Sequence, residues 1–328
     1  MKLLVVAPSW IGDTIMMQPL LTRLRSQRPD GDIHVLAPAW GAPLLARMAE
    51  VAAVIENPFA HGVFDWAGRR ALARRVASDG FSAAYVLPNS WKSALIPFLA
   101  GIPRRIGYHG EARYVLLNER HRLDESALPR LVDRYAALAG PLEGNTPPPR
   151  LSSTPEQQRA ARGALGLPET AAPVVFCPGA EYGPAKRWPA RHFAALAQKV
   201  GAGGTAVWLI GSARDREVGD EIARLADGAA LNLCGRTSLE QAIDLIAGAR
   251  LVVSNDSGLM HVAAALDRPL LALYGSSSPG YTPPLSPRAK VVSLNLDCSP
   301  CFKRECPLGH LRCLENLTPE QVLAAIPR

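Results

Sequence analysis

Charge is scarce in this chain: only 20% of its 328 residues are Asp, Glu, Lys or Arg, while 48% are hydrophobic. Apolar segments recur along the whole length, which excludes intrinsic disorder. Long apolar runs are missing as well, none approaching the ~18–20 residues that a bilayer span needs. The opening Met1-Lys2-Leu3-Leu4-Val5-Val6-Ala7-Pro8 has an apolar core of a few residues, and Asp13 soon follows. It reads as a first β-strand and not as a secretory leader, so the expected location is the cytoplasm. Absent too are low-complexity tracts, the G-x-G-x-x-G fingerprint of dinucleotide enzymes, the Walker A loop and the His-Glu-x-x-His pattern. These absences withdraw support from an NAD-dependent activity and from a catalytic metal.

What charge there is leans positive. Lys and Arg number 36 against 29 Asp and Glu, a formal net of +7. Residues 1–150 hold 18 basic and 13 acidic side chains, and residues 151–328 hold 18 and 16, so most of the surplus lies in the first half. It is densest from Lys92 to Arg122, where Lys92, Arg104, Arg105, Arg113, Arg120 and Arg122 face only Glu111 and Glu119. Such a stretch is either a solvated face or a surface for an anion: a phosphorylated substrate, an acidic membrane or nucleic acid.

At roughly 150 residues per domain the length suggests two domains. Short apolar runs alternate with amphipathic stretches in both halves. Strands are predicted at 3–7, 33–37, 51–56, 83–87 and 105–108, then at 174–177, 206–210, 231–233, 251–254 and 270–274. Helix-length segments separate them at 14–28, 43–48, 66–78 and 91–100, and at 190–200, 216–226, 239–247 and 259–266; 318–326 starts like a capped helix. Unbroken apolar strands belong to parallel sheets covered on both faces. Alternating β and α units of this length predict two doubly wound, Rossmann-like α/β domains. Residues 141–149, Pro-Leu-Glu-Gly-Asn-Thr-Pro-Pro-Pro, suit neither helix nor strand and mark the boundary, giving domains of 1–150 and 151–328. Ligands of such sheets bind beyond the carboxyl ends of the strands, so the expected site is a cleft between the domains.

Three loops at predicted strand ends hold residues with chemical reach. The first is Pro8-Ser9-Trp10-Ile11-Gly12-Asp13-Thr14, where Gly12 lets a ligand approach the backbone. Asp13 is either an N-cap or a carboxylate placed to take a proton from an incoming hydroxyl. In the second, residues 177–189, Gly179 and Gly183 keep the loop open and Lys186 and Arg187 supply adjacent cations. Pro189 suits the first position of the next helix. The combination outlines a phosphate cradle, beside the simpler reading of an exposed loop. In the third, residues 252–261, a strand ends in Asn255 and Asp256, then Ser257 and Gly258 open a helix. Its N–H groups can hold a diphosphate or a sugar hydroxyl, and Asp256 can accept from hydroxyls. His261 is either a satisfied interior histidine or part of that site. The loop 275–280 can add backbone donors nearby.

Four of the six cysteines fall within sixteen residues as Cys298-x2-Cys301-x4-Cys306-x6-Cys313. In a cytoplasmic protein that spacing suggests structural zinc sooner than disulfides, although the second pair is wide. Reduced thiols with a structural role are the preferred expectation.

Together these motifs resemble the lipopolysaccharide heptosyltransferases, glycosyltransferases of family 9 with the two-domain GT-B fold. The likeness is carried by Trp10-Ile11-Gly12-Asp13 and by residues 88–94, 101–108, 178–189, 233–239, 255–261 and 298–313, nearly the whole chain. It implies an inverting transfer of L-glycero-D-manno-heptose from ADP-heptose to Kdo-lipid A that already carries one heptose, with no cofactor and no metal. It implies an acceptor-binding domain at 1–150 and a donor-binding domain at 151–328. Asp13 matches the general base, and Lys186 matches the lysine on the donor phosphates. Gly179, Asp256, Ser257, Gly258 and His261 fall in the motifs around the donor; the ribose goes to Asp215 or Glu217, with Glu217 preferred. Lys92, Arg104 and Arg105 would serve the acceptor's phosphates and carboxylates at the cytoplasmic face of an anionic inner membrane, where the protein would sit peripherally. Nucleic acid is not an expected partner. The alternatives are heptosyltransferase I or another GT-B enzyme with a different acceptor, and a non-catalytic nucleotide-sugar binding protein.

Overall fold

A computed structural model describes residues 1–59, 63–168 and 172–326. It forms two compact units, Met1–Pro149 and Arg150–Arg328. The first is built on β1 (Lys2–Val6), β2 (Asp32–Ala37), β3 (Val51–Glu56), β4 (Ala83–Val86), β5 (Arg104–Tyr108) and β6 (Glu119–His121), all parallel in the order β3-β2-β1-β4-β5-β6. The second is built on β7 (Val174–Cys177), β8 (Val207–Leu209), β9 (Leu231–Asn232), β10 (Leu251–Asn255), β11 (Leu270–Leu273) and β12 (Ala289–Val292). These too are parallel, in the order β12-β11-β10-β7-β8-β9. Counted from its own first strand, each sheet has the order 3-2-1-4-5-6. The strand order therefore reverses between β1 and β4, and again between β7 and β10. A reversal of this kind opens a crevice at the carboxyl ends of the two strands.

The sequence explains which strands lie where. Leu3, Leu4 and Val5 of β1 and Val175 and Phe176 of β7 have no exposed surface. Helices cover both faces of these central strands, so their residues are apolar without alternation. The helix Ala190–Gly201 is amphipathic and buries Phe193, Ala194, Leu196 and Ala197 in the core of the second unit. Thr154, Ser238 and Thr318 each close a capping box with the glutamine three residues on: Gln157, Gln241 and Gln321.

Several elements depart from expectation. The segment 14–28 is two helices, Ile11–Met16 and Gln18–Gln27, joined at Met17. Pro19 has no N–H to continue the first helix and sits in the opening turn of the second. The segment 43–48 contracts to one turn, Ala42–Leu45. The strands β6 and β12 escape prediction because they are short outer strands: β6 is Glu-Arg-His, and β12, Ala-Lys-Val-Val, offers only two adjacent valines and no buried residue. The helices Leu131–Ala136 and Pro155–Ala164 were not expected either. Among the described residues no helix is long and apolar enough to cross a membrane.

If the central strand anchors the first unit, Leu4→Ala costs ~2–5 kcal/mol in urea denaturation. Val115→Ala, at a side chain 73% exposed, changes stability by less than about 0.5 kcal/mol.

Candidate active site

In the first unit the loops after β1 and β4 flank the reversal of strand order. Asp13 is the third residue of the helix Ile11–Met16, and Trp10 occupies the cap position, so Asp13 is not the N-cap. It is half-buried in the first turn. Thr14 Oγ1 donates to Pro8 O at 3.3 Å and fixes the turn that delivers it. Lys92 lies in the first turn of the helix Trp91–Leu99, on the other side of the reversal. Buried Arg113 ties this edge together, donating to Pro88 O at 2.6 Å, to Asn89 Oδ1 at 3.0 Å and to Tyr108 O. Its guanidinium is thus engaged in holding the loops after β4 and β5.

Arg104 and Arg105 do not join this group. They are the first two residues of β5, at the amino edge of a parallel sheet whose carboxyl edge leads to Asp13 and Lys92. Arg104 pairs with Glu119 at 2.6 Å, and Arg105 donates to Leu116 O at 2.8 Å and Ile102 O at 2.5 Å. One basic stretch in sequence is thus divided by β5 between two edges of the sheet.

In the second unit the loops after β7 and β10 meet. Lys186 Nζ lies 2.5 Å from Asp256 Oδ2, with side-chain exposures of 18% and 4%. Lys186 also stands 5.1 Å from the centre of the Tyr182 ring. Asn255 performs the joining: its Oδ1 accepts from Trp188 N at 3.0 Å and its Nδ2 donates to Pro178 O at 2.7 Å. Buried and paired on both sides, it fixes the path of the loop that carries Lys186. The residue-level reading passed over it; a lone amide closing an apolar strand was the available signal. Ser257 and Gly258 open the helix Gly258–Ala265, as expected, with Ser257 at the cap position and no side-chain capping bond, whereas Pro189 precedes the helix Ala190–Gly201 instead of starting it.

The remaining candidates separate by environment. Gly179 packs against Asp215 so closely that an added Cβ would fall 2.5 Å from its carboxylate. That carboxylate accepts from Ser212 N at 2.9 Å and Ser212 Oγ at 2.7 Å, so Asp215 holds its own loop. Glu217, in the first turn of the helix Arg216–Leu225, is exposed. His261 is buried one turn into its helix. Burial pushes its pKa down to about 4 against the pull of Asp256, so the imidazole is neutral at physiological pH. The hydroxyls of Ser276 and Ser277, in the loop after β11, are buried with no hydrogen-bond partner among the described residues.

Residues 69–312 match the model of glycosyltransferase family 9 (heptosyltransferase). The chain is 46% identical to lipopolysaccharide heptosyltransferase 2 of Salmonella typhimurium, over 98% of this chain and 97% of that one. It is 45% identical to lipopolysaccharide heptosyltransferase 2 of Escherichia coli K12 over the same shares. A solved structure of E. coli ADP-heptose lps heptosyltransferase II superposes with a TM-score of 0.89 at 42% identity, covering 99% of this chain and 98% of that one.

The neutral His261 makes a pH prediction. Its folded pKa of about 4 lies below the ordinary 6.5, so between these values the unfolded chain binds a proton that the folded one does not. Stability to urea therefore rises with pH across that window and falls as the pH drops through it, by roughly 3 kcal/mol at most. His261→Gln removes this part of the pH dependence; an unchanged profile in the variant counts against the assignment.

Proposed function

The chain belongs to glycosyltransferase family 9 and is a glycosyltransferase of the GT-B fold; on that premise we propose that it moves a heptosyl group from ADP-heptose to the first heptose of the lipopolysaccharide inner core. The observation that carries the reading is the Lys186–Asp256 pair, which unites the two loops at the strand reversal of the second sheet. Two features support a diphosphate there: a partly exposed ammonium and the start of the helix Gly258–Ala265 on the loop of its partner. The arriving diphosphate draws Lys186 off Asp256, and the carboxylate is then free to accept from a sugar hydroxyl. Gly258 keeps the backbone open to the anion, with Ser257 beside it. Glu217 takes the ribose, because Asp215 is already engaged by Ser212.

The reaction is a single inverting displacement. Asp13 removes the proton from the acceptor heptose hydroxyl while that oxygen attacks the anomeric carbon, and the bond from that carbon to ADP breaks. Negative charge gathering on the departing diphosphate meets Lys186 and the helix-start N–H groups. A well-placed donor of this kind contributes ~3–4 kcal/mol to the rate. The first unit thus supplies the base and the second the donor site. Lys92 sits on the same sheet edge as Asp13 and suits a phosphate or carboxylate of the acceptor. Such an acceptor, anchored in an anionic leaflet, places the enzyme at the cytoplasmic face of the inner membrane, where basic side chains are attracted.

Purified protein supplied with ADP-heptose should glycosylate Kdo-lipid A bearing one heptose; transfer confined to the heptose-free acceptor would overturn the proposal. Asp13→Asn should lower kcat by ~10²–10⁴ while ADP-heptose still binds. Undiminished turnover would remove Asp13 from the role of base. Lys186→Met should weaken donor binding at least about tenfold, one lost charge-assisted contact, as measured by calorimetry.

A further inference from the structure

The proposed reaction makes no use of the loop that holds Cys298, Cys301, Cys306 and Cys313. Residues 293–311 contain neither helix nor strand, and no residue from 291 to 313 is buried. A segment that long with no core of its own needs another constraint to hold one conformation. Phe302, directly after Cys301, has φ 54°, and Leu311 has φ 47°, in the left-handed region that is unfavourable for a residue bearing a side chain.

The four thiols are free, and all four line one cavity of about 20 Å³, room for about one water-sized sphere. Ser276 lines it as well, and its hydroxyl, 2% exposed at residue level, is unpartnered among the described residues. Cys313 lies within electrostatic reach of Cys298, Cys306 and Cys301. His310 also lines the cavity, but its Nδ1 accepts from Arg312 N at 3.1 Å, leaving the sulfurs as the donor set. In this structure the side chains are not drawn onto one point: among the described residues, no three thiol, imidazole or carboxyl groups are arranged to hold a metal ion. Rotation of the cysteines about Cα–Cβ into the cavity is the adjustment that an ion would require.

We propose that Cys298, Cys301, Cys306 and Cys313 bind one zinc ion as a tetrahedral four-thiolate site that braces the loop bearing Lys186. Each thiol gives up its proton as its sulfur–zinc bond forms, so affinity weakens as the pH is lowered. The bracing contacts are in place. Arg304 O accepts from Ala185 N at 3.0 Å, and Phe302 N donates to Ser276 O at 2.7 Å. Tyr182 Oη donates to Phe302 O at 2.9 Å, and Ser299 Oγ donates to Gly275 O. Gly183 passes so near that an added Cβ would fall 2.5 Å from Arg304 O. Fixing the cysteine loop therefore fixes residues 182–186 and 275–276.

Elemental analysis of the full-length protein, made without an affinity tag, tests the site. The proposal expects about one equivalent of zinc, lost in the Cys298→Ser/Cys313→Ser double variant. Cobalt(II) added to chelator-treated wild-type protein should give thiolate-to-cobalt charge-transfer and tetrahedral d–d bands that zinc abolishes. This carries the test even if the variant fails to fold. Zinc below about a tenth of an equivalent, together with no thiolate–cobalt band, overturns the proposal. The bracing role rests on the donor-site reading. It expects zinc removal to raise the KM for ADP-heptose several-fold with a smaller change in kcat, and an unmoved KM overturns that role while leaving the metal site standing.

Discussion

The contact between Lys186 and Asp256 is the constraint around which the second unit is arranged. A carboxylate as buried as that of Asp256 is costly unless an opposite charge meets it, and removing one partner of such a pair typically costs ~3–5 kcal/mol. The partner comes from the loop after another strand, so that loop must be held in register. Asn255 does this from one side, through Trp188 N and Pro178 O. The cysteine-bearing segment does it from the other, through Ala185 N. Gly179 and Gly183 are glycines for the same reason: a side chain at either would collide with Asp215 or with the Arg304 backbone.

The same strand order serves the two units differently. In the second, the reversal between β7 and β10 brings opposite charges together, and a diphosphate can separate them. In the first, the reversal between β1 and β4 presents Asp13 on one loop and Lys92 on the other, while Arg113 is drawn inward to secure the backbone. The same edge of a parallel sheet thus carries a closed ion pair in one unit and separate charged side chains in the other, according to what its loops bear. The neutral His261 fits this division. Buried one turn into the helix Gly258–Ala265, it adds no second cation beside Lys186 at physiological pH.

Much of this was legible in the sequence because central parallel strands are unbroken apolar runs. Val174-Val175-Phe176-Cys177, central in its sheet, could be read to the residue, and so could Val51 to Glu56, an outer strand that keeps a five-residue apolar run. The β6 and β12 strands could not, since Glu-Arg-His has no apolar residue and Ala-Lys-Val-Val has an apolar run of only two. Among candidate site residues, Lys186 and Asp256 were legible because each follows a strand that the pattern identifies. Their direct pairing was not, being a contact across seventy residues. That Arg104 and Arg105 lie at the opposite sheet edge from Lys92 was not legible, because charge density along a chain carries no information about which end of a strand a residue occupies. Between Asp215 and Glu217 the sequence offered only a preference for Glu217; the hydrogen bonds from Ser212 to Asp215 could not be read from it.

The central claim is that the donor diphosphate is received where the loops after β7 and β10 meet. A crystal structure of the chain with ADP bound tests it most directly. The account predicts phosphate oxygens within hydrogen-bond distance of Lys186 Nζ and of the backbone N–H groups that open the helix Gly258–Ala265, with Lys186 withdrawn from Asp256. A diphosphate bound elsewhere, with the Lys186–Asp256 pair intact, would contradict it.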